Sequence, residues 1–320
     1  MPEPPPVAID AVVIGRNEGA RLLACLASLQ GRVRRLVYVD SGSTDGSGAA
    51  AHDLGAEVVT LDLSTPFTAA RARNAGLQRL VPDPPDFVQL VDGDCEVDAG
   101  WIAAARAAFA AHPAAVVVCG RRRERFPAAS VYNTLADREW NTPVGRALAC
   151  GGDALMRYAA VQAVGGFNPD LIAGEEPELC LRLRRAGGEV WRIDAEMTRH
   201  DAALTRFGQW WRRTLRSGHA FAEGAALHGR VPDRHWVAET RRALVWGAVL
   251  PLVIALGSVL TPWAPALSLI YPAQLVRLAR RGGWVWAGFS LLGRFAEAQG
   301  VIGYWLGRLR RQRRGLIEYR

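Results

Sequence analysis

The sequence predicts an α/β protein built on a largely parallel, doubly wound sheet. Two observations carry this. From Asp10 onward, short β-branched runs alternate with amphipathic, helix-like stretches, which is the pattern of βαβ units. The runs also end in acidic, glycine- or serine-rich turns, with Asp40 and Asp92 at their carboxyl ends, where ligands gather in such sheets.

In chain order, strands are expected at residues 11–15, 36–40, 57–61, 87–92 and 115–119, and a later one at 190–193. Each is a short apolar run rich in valine, isoleucine or leucine, as a strand buried on both faces requires. Helices are expected to start near Gly19, Thr44, Thr68 and Asp98, where turn and capping residues precede an apolar period of three to four. Residues 1–9, opening Met1-Pro2-Glu3-Pro4-Pro5-Pro6, read as a disordered tail without the charged and apolar regions of a cleaved signal peptide.

The chain has 320 residues and 39 basic side chains, all of them arginine, so lysine-base and lysine Schiff-base chemistry is excluded. Net charge is +8. The basic clusters Arg241-Arg242, Arg280-Arg281 and 308–314 flank apolar segments, which points to a membrane surface and not to nucleic acid. Five cysteines without a C-x-x-C pair read as reduced, buried thiols.

Composition changes near residue 230, dividing a catalytic domain at 10–230 from a membrane-associated helical region at 231–320. Residues 243–260 carry no charge, and a second apolar stretch follows at 266–276. A hairpin over about 243–278 keeps every basic cluster on the cytoplasmic side, as the positive-inside tendency favours. The segment 284–306 carries Arg294 and Glu297 on one helical face and reads as an interfacial or membrane helix.

Asp92-Gly93-Asp94 ends an apolar run with two carboxylates, a site suited to a hard divalent cation, Mg²⁺ or Mn²⁺, held together with substrate phosphates. Acidic turns of this kind are also commonly just solvated. Val39-Asp40-Ser41-Gly42-Ser43-Thr44-Asp45-Gly46 offers backbone N–H groups and a carboxylate to a nucleoside, or simply caps the next helix. Glu175 and Glu176 precede Pro177, a residue suited to a first helical turn, where carboxylates face the positive helix end. They stabilise that helix start or serve as a general base.

Together these elements resemble the family 2 glycosyltransferases. The resemblance covers residues 10–205 and rests on Arg16-Asn17-Glu18, the 39–46 segment, Ala72-Arg73-Asn74-Ala75-Gly76, Asp92-Gly93-Asp94, Val164-Gly165-Gly166-Phe167-Asn168, and Gly174-Glu175-Glu176 before Leu179 and Arg182. It implies the GT-A fold, a mixed sheet with helices on both faces, here followed by the C-terminal hydrophobic helices. It further implies a nucleotide-sugar donor, expected to be a UDP-sugar, contacted by Arg16, Asn17, Glu18, Asp40, Arg73, Asn74 and Asp92. Asp94, with Asp92 and His200, would hold the metal, and Glu176 would stand where the family carries its catalytic base, with Glu175 sharing the task. The family usually has aspartate at the position of Glu176, and many relatives have a second aspartate where this chain has Ser41.

Gln209-Trp210-Trp211-Arg212-Arg213 is similar to the signature of processive members but has arginine in place of the final tryptophan, which argues against polymer synthesis. Trp210-Trp211 reads equally as part of a helix resting on lipid. Arg121-Arg122-Arg123-Glu124-Arg125 reads as a solvated charge run, with phosphate attraction as the alternative. The implied activity is inverting transfer to an acceptor hydroxyl on a lipid-linked or membrane-proximal glycan, in cell-envelope synthesis at the bacterial inner membrane. Two alternatives stand beside it: a nucleotide-sugar-binding scaffold without turnover, and a nucleotidyltransferase.

Overall fold

The structure is a computed structural model that describes residues 7–311. It falls into two compact units, one running to Leu171 and including Glu175–Thr205, the other formed by Ile172–Gly174 and the chain from Arg206. Residues 1–6 of the expected tail and the last three residues of the 308–314 cluster lie outside the described residues. Val7 and Ala8 lead directly into a strand.

The first unit is built on a nine-stranded sheet. Its strands are β1 (Ile9–Gly15), β2 (Arg35–Asp40), β3 (Glu57–Thr60), β4 (Phe87–Asp92), β5 (Cys95–Val97), β6 (Ala115–Glu124), β7 (Gly145–Ala147), β8 (Ala154–Arg157) and β9 (Glu189–His200). The order is β3-β2-β1-β4-β8-β6-β9-β5, with β7 on β9. β3, β2, β1 and β4 are parallel, as expected from their apolar runs. β8 enters antiparallel between β4 and β6, and β5 antiparallel beside β9, making the sheet mixed.

The expected strands at 115–119 and 190–193 extend further, to Glu124 and His200, because the polar residues that follow keep the two-residue alternation and pair with each other. Helices α1 (Ala20–Leu29), α2 (Ser47–Asp53), α3 (Ala69–Arg79) and α4 (Trp101–Ala111) follow the first strands, and α5 (Val131–Trp140), α6 (Tyr158–Ala163) and α7 (Glu175–Arg185) complete the unit. Thr68 caps α3 by accepting the Arg71 N–H at 3.2 Å. α3 lies close on the sheet, since a Cβ at Gly76 would fall 2.2 Å from Val12 Cγ1.

At the opposite rim from the strand carboxyl ends, fully buried Asp10 accepts from Arg34 at 2.9 Å and Arg35 at 2.6 Å. Burial alone would raise its pKa, but the bonds from Arg34 and Arg35 outweigh that and hold it below the ordinary carboxylate range. A depressed carboxylate contributes stability that is present above its unfolded pKa and lost as pH falls through the folded value. Asp10→Asn is therefore expected to cost about 2–3 kcal/mol near neutral pH. In denaturant melts across a pH series, this deficit should shrink as the pH drops below about 4.

The second unit holds α8 (Phe207–His228), α9 (Val237–Leu244), a π turn (Val245–Val249), α10 (Leu250–Leu260), α11 (Ile270–Gly282) and α12 (Trp284–Leu309). α8 groups with this unit, upstream of the boundary at 230 expected from composition. The reason is glycine packing, which composition does not reveal. Backbones of α8 and α12 touch where a Cβ on Gly218 would meet Glu297 O and one on Gly300 would meet Leu215 O, each at 2.1 Å.

Val237–Leu260 forms one continuous run of 24 residues, the one described helix long and apolar enough to cross a membrane. Its length is about 36 Å, against roughly 30 Å of bilayer hydrocarbon. Leu252, Leu256, Val259 and Leu260 along it are exposed, Leu260 at 85 %. Tyr271 of α11 donates to Trp246 O at 2.7 Å, so the two arms meet. Arg294 and Glu297 pair at 2.6 Å on α12.

Candidate active site

Strand register brings the expected acidic residues to one rim. Ile14 is paired with Asp92 and Gly15 with Asp40, so β1, β2 and β4 end side by side. The loop after β1 is tied to the loop after β2. Asn17 accepts the Thr44 N–H at 2.7 Å and donates its own N–H to Ser43 Oγ at 2.9 Å. Asp40 is buried and accepts from Tyr38 Oη, the Ser43 N–H and the Ser43 hydroxyl. Its carboxylate thus shapes the turn after β2. Ser41 donates its N–H to Gly15 O at 3.0 Å. The Arg16 guanidinium lies 4.7 Å over the Phe67 ring, and Glu18 pairs with Arg21 at 2.7 Å.

After β4 the chain turns through Gly93 into β5, which pairs with the end of β9 and sets Cys95 opposite His200. Asp94 Oδ2 and His200 Nε2 stand 3.1 Å apart, with Asp94 8 % and His200 7 % exposed. Two neighbouring ligands of an octahedral cation with bonds near 2.0–2.1 Å lie about 2.9–3.0 Å apart, so one Mg²⁺- or Mn²⁺-sized ion fits both donors with little adjustment. The carboxylate oxygen suits either ion, and the imidazole nitrogen favours Mn²⁺, a transition metal, over Mg²⁺. Cys95 completes the cluster in space but not in chemistry. Burial pushes its thiol well above the ordinary range, and a protonated thiol is a poor ligand for a hard cation. Trp140 approaches His200 edge-on, with centroids 4.7 Å apart.

Asp92 is the junction of a charge network. Buried Arg73 bridges it to Glu175, with 2.7 Å to each carboxylate, and lies 5.4 Å over the Phe167 ring. Fully buried Asp153 accepts the Asp92 N–H at 3.1 Å, the Thr198 hydroxyl at 2.8 Å and Arg122 Nε at 3.1 Å, with Arg122 Nη2 in ion-pair contact at 2.8 Å. Arg122 also stands 3.6 Å from Asp92 and 5.6 Å over Trp140. Burial raises the pKa of Asp92 despite Arg73. For Asp153 burial acts in the same direction, but Arg122 and Thr198 outweigh it and hold the carboxyl below the usual range.

The solvated reading of 121–125 is thereby corrected for Arg122. On extended β6, Arg121 and Arg123 pair with Asp194 and Glu196, while Arg122 turns toward Asp153 and Glu124 is buried. Asp153, Thr198 and Cys150 were not anticipated. Only the two-residue alternation through 121–124 signalled that one face of that run points inward.

α7 starts at Glu175, and its first turn holds three glutamates facing the positive helix end. Glu176 is 4 % exposed. It accepts the N–H groups of Cys150 at 2.6 Å and Gly151 at 3.0 Å, and the thiols of Cys150 at 2.9 Å and Cys180 at 3.0 Å. The 150–153 segment thus joins Glu176 to the Asp92–Arg122–Asp153 network. Asn74, expected to meet the donor, clasps the backbone of Phe167 with two 2.8 Å bonds. Arg182 pairs with Glu178 and donates to Val164 O and Gly166 O, closing the same turn. At Gly166, φ is +69° and a Cβ would fall 2.7 Å from Asn74 Oδ1, so the clasp needs glycine.

The mixed α/β sheet thus gathers paired carboxylates, a cation-sized Asp–His pair and a capped turn on one rim. Residues 10–147 match the family model for glycosyl transferase family 2. Over those residues the first unit is similar to the family 2 glycosyltransferases, and its mixed sheet with helices on both faces is that of the GT-A fold. Among curated relatives, the pre-mycofactocin glycosyltransferase of Mycobacterium tuberculosis (strain ATCC 25618 / H37Rv) is 26 % identical over 246 residues, covering 71 % of this chain and 48 % of the relative. Succinoglycan biosynthesis protein ExoA of Rhizobium meliloti (strain 1021) is 26 % identical over 197 residues, 56 % of this chain and 58 % of its own. The chain thus spans about half the length of the curated relatives it matches. Among solved structures, the mannosyltransferase PcManGT from Pyrobaculum calidifontis, in complex with GDP-Man and Mn²⁺, superposes with a TM-score of 0.63 at 20 % identity. The match covers 94 % of this chain and 91 % of that one.

Proposed function

We propose that the protein is a metal-dependent, inverting glycosyltransferase that moves a sugar from a nucleotide-sugar donor to an acceptor hydroxyl. The observation that carries this reading is the 3.1 Å Asp94–His200 pair on the same rim as the Arg73-bridged carboxylates Asp92 and Glu175. When bound there, Mg²⁺ or Mn²⁺ would supply Lewis-acid neutralisation of the departing nucleoside diphosphate. Asp94 and His200 would hold the ion, and Asp92, fixed by Arg73, takes the donor ribose or sugar. The loops carrying Arg16, Asn17, Glu18 and Asp40 receive the nucleoside. Glu176 accepts the proton of the acceptor hydroxyl as that oxygen attacks the anomeric carbon from the face opposite the leaving group, which inverts the centre.

A UDP-sugar is the proposed donor. GDP-mannose, found with the Pyrobaculum enzyme, is the competing donor to test. The exposed apolar helix 237–260 supports placement at the bacterial inner membrane with the catalytic unit cytoplasmic, and hence a lipid-linked or membrane-proximal glycan acceptor.

Glu176→Gln tests the base. Transfer kcat should fall by about 10²–10⁴-fold while the donor KM changes little, because the amide keeps the shape but cannot take the proton. Release of nucleoside diphosphate by purified protein, measured with donor alone and with a membrane lipid extract, reads both constants. Full-rate transfer by the variant would rule out Glu176 as the base. Nucleotide-sugar binding by the wild type without cation-dependent release would instead identify a scaffold.

A further inference from the structure

We propose that Cys150, Glu176 and Cys180 form a second metal site, selective for a thiophilic divalent cation of the Zn²⁺ class and distinct from the hard-cation pair at Asp94 and His200. All three side chains are buried, and their ligand atoms lie within 4.8 Å of one another. The two sulfurs are 3.9 Å apart. Two thiolates bound to one tetrahedral Zn²⁺ at about 2.3 Å each lie about 3.8 Å apart, so the sulfur spacing is already that of a zinc site. The carboxylate is closer than zinc needs. Its Oε1 lies 2.9 and 3.0 Å from the sulfurs, where shared coordination asks for about 3.5 Å, so it must draw back by roughly half an ångström.

Charge balance favours the exchange. Both thiols donate to the one carboxylate, and replacing their two protons by one divalent cation leaves the net charge of the buried cluster unchanged. Burial pushes the Cys150 thiol up, and the Cys150 hydrogen bond together with burial does the same for Cys180, so the ion must displace held protons, but the exchange adds no net charge to the buried cluster. The two protons pass to solvent. The cluster lies one residue from solvent on one side: Gly151, which donates its N–H to Glu176, is exposed, and a Cβ there would meet nothing within 4 Å. The site does not depend on Glu176 being the base. If that reading holds, however, an occupied site ties up the same carboxylate and stops transfer.

Cobalt substitution tests the site on the full chain. With excess Mg²⁺ present, Co²⁺ should give a near-ultraviolet thiolate-to-metal band and tetrahedral d–d bands saturating at one equivalent, and Zn²⁺ should bleach both. The bands should vanish in Cys180→Ser and persist in Cys95→Ser and Asp94→Ala. A second measurement needs no variant: Zn²⁺ should slow alkylation of Cys150 and Cys180 by at least about tenfold, read by peptide mass spectrometry, with Cys25 unaffected. No cobalt–thiolate band, or bands that survive Cys180→Ser, would overturn the proposal. Equal alkylation of Cys150 and Cys180 with and without Zn²⁺ would do the same. Inhibition of transfer without these signatures would locate Zn²⁺ elsewhere and leave the assignment of Glu176 as base intact.

Discussion

Asp94→Ala is expected to lower sugar transfer by about 10³-fold, because it removes the one anionic ligand from the Asp94–His200 pair. The loss should lie mainly in kcat, since charge on the departing diphosphate develops only as the glycosidic bond breaks. Raising the cation concentration should recover little, because a single imidazole ligand holds an oxygen-seeking ion weakly. The fold should survive, as Asp94 sits in the turn before β5 and its backbone carbonyl, which accepts the Asp201 N–H at 3.2 Å, is untouched. Nucleoside diphosphate release at saturating donor, across Mg²⁺ and Mn²⁺ titrations, measures this. Transfer at the wild-type rate by Asp94→Ala, or by wild type in EDTA, would exclude the metal role.

Arg122→Met should destabilise the first unit by about 3–5 kcal/mol, the usual cost of stripping a buried ion of its partner. Methionine fills much of the same space, so the cost is chiefly electrostatic. Asp153 would keep Thr198 and the Asp92 N–H but lose the Arg122 guanidinium. The sign of the pH dependence follows. In the wild type Asp153 is held low, so its contribution is complete above the unfolded carboxylate value and fades as acid titrates it. Without Arg122 the burial effect loses its largest opponent, only weaker ones such as Thr198 and the Asp92 N–H remain, and the carboxyl moves up. The variant's deficit should therefore be largest near neutrality and narrow on acidification. Adding Asp153→Asn should restore part of the loss, because the orphaned charge is then gone. Denaturant unfolding followed by near-ultraviolet circular dichroism reads these differences. Wild-type stability in Arg122→Met would refute the ion pair's role.

β1, β2 and β4 were legible in the sequence because strands buried on both faces must be continuous apolar runs. Asp40 and Asp92 came with them, since a strand's last residue marks the rim. β5, β7 and β8 were not. Each has four residues or fewer and exists only because a distant segment pairs with it, as β8 does by filling the gap between β4 and β6. Arg122 was hidden by its neighbours: in a run of like charges, solvation is the default, and only its partner 31 residues away reverses that. The motif around Asn74 and Arg182 was legible as chemistry but is scaffolding in space, because their polar groups bind backbone carbonyls and amides of one turn. Glu176 was legible by motif, whereas its thiol neighbours carried no spacing signal.

The strand pairing that seats Asp94 beside His200 has a bearing on how the chain matures. β5 has no partner in the sheet except β9, which leaves the ribosome about a hundred residues later. At roughly 5–20 residues per second, the Asp94–His200 pair cannot assemble for several seconds after Asp94 has been synthesised. Nascent chains stalled before His200 would therefore carry the acidic turn without its imidazole partner, so the proposed cation site is completed late, as a product of long-range closure.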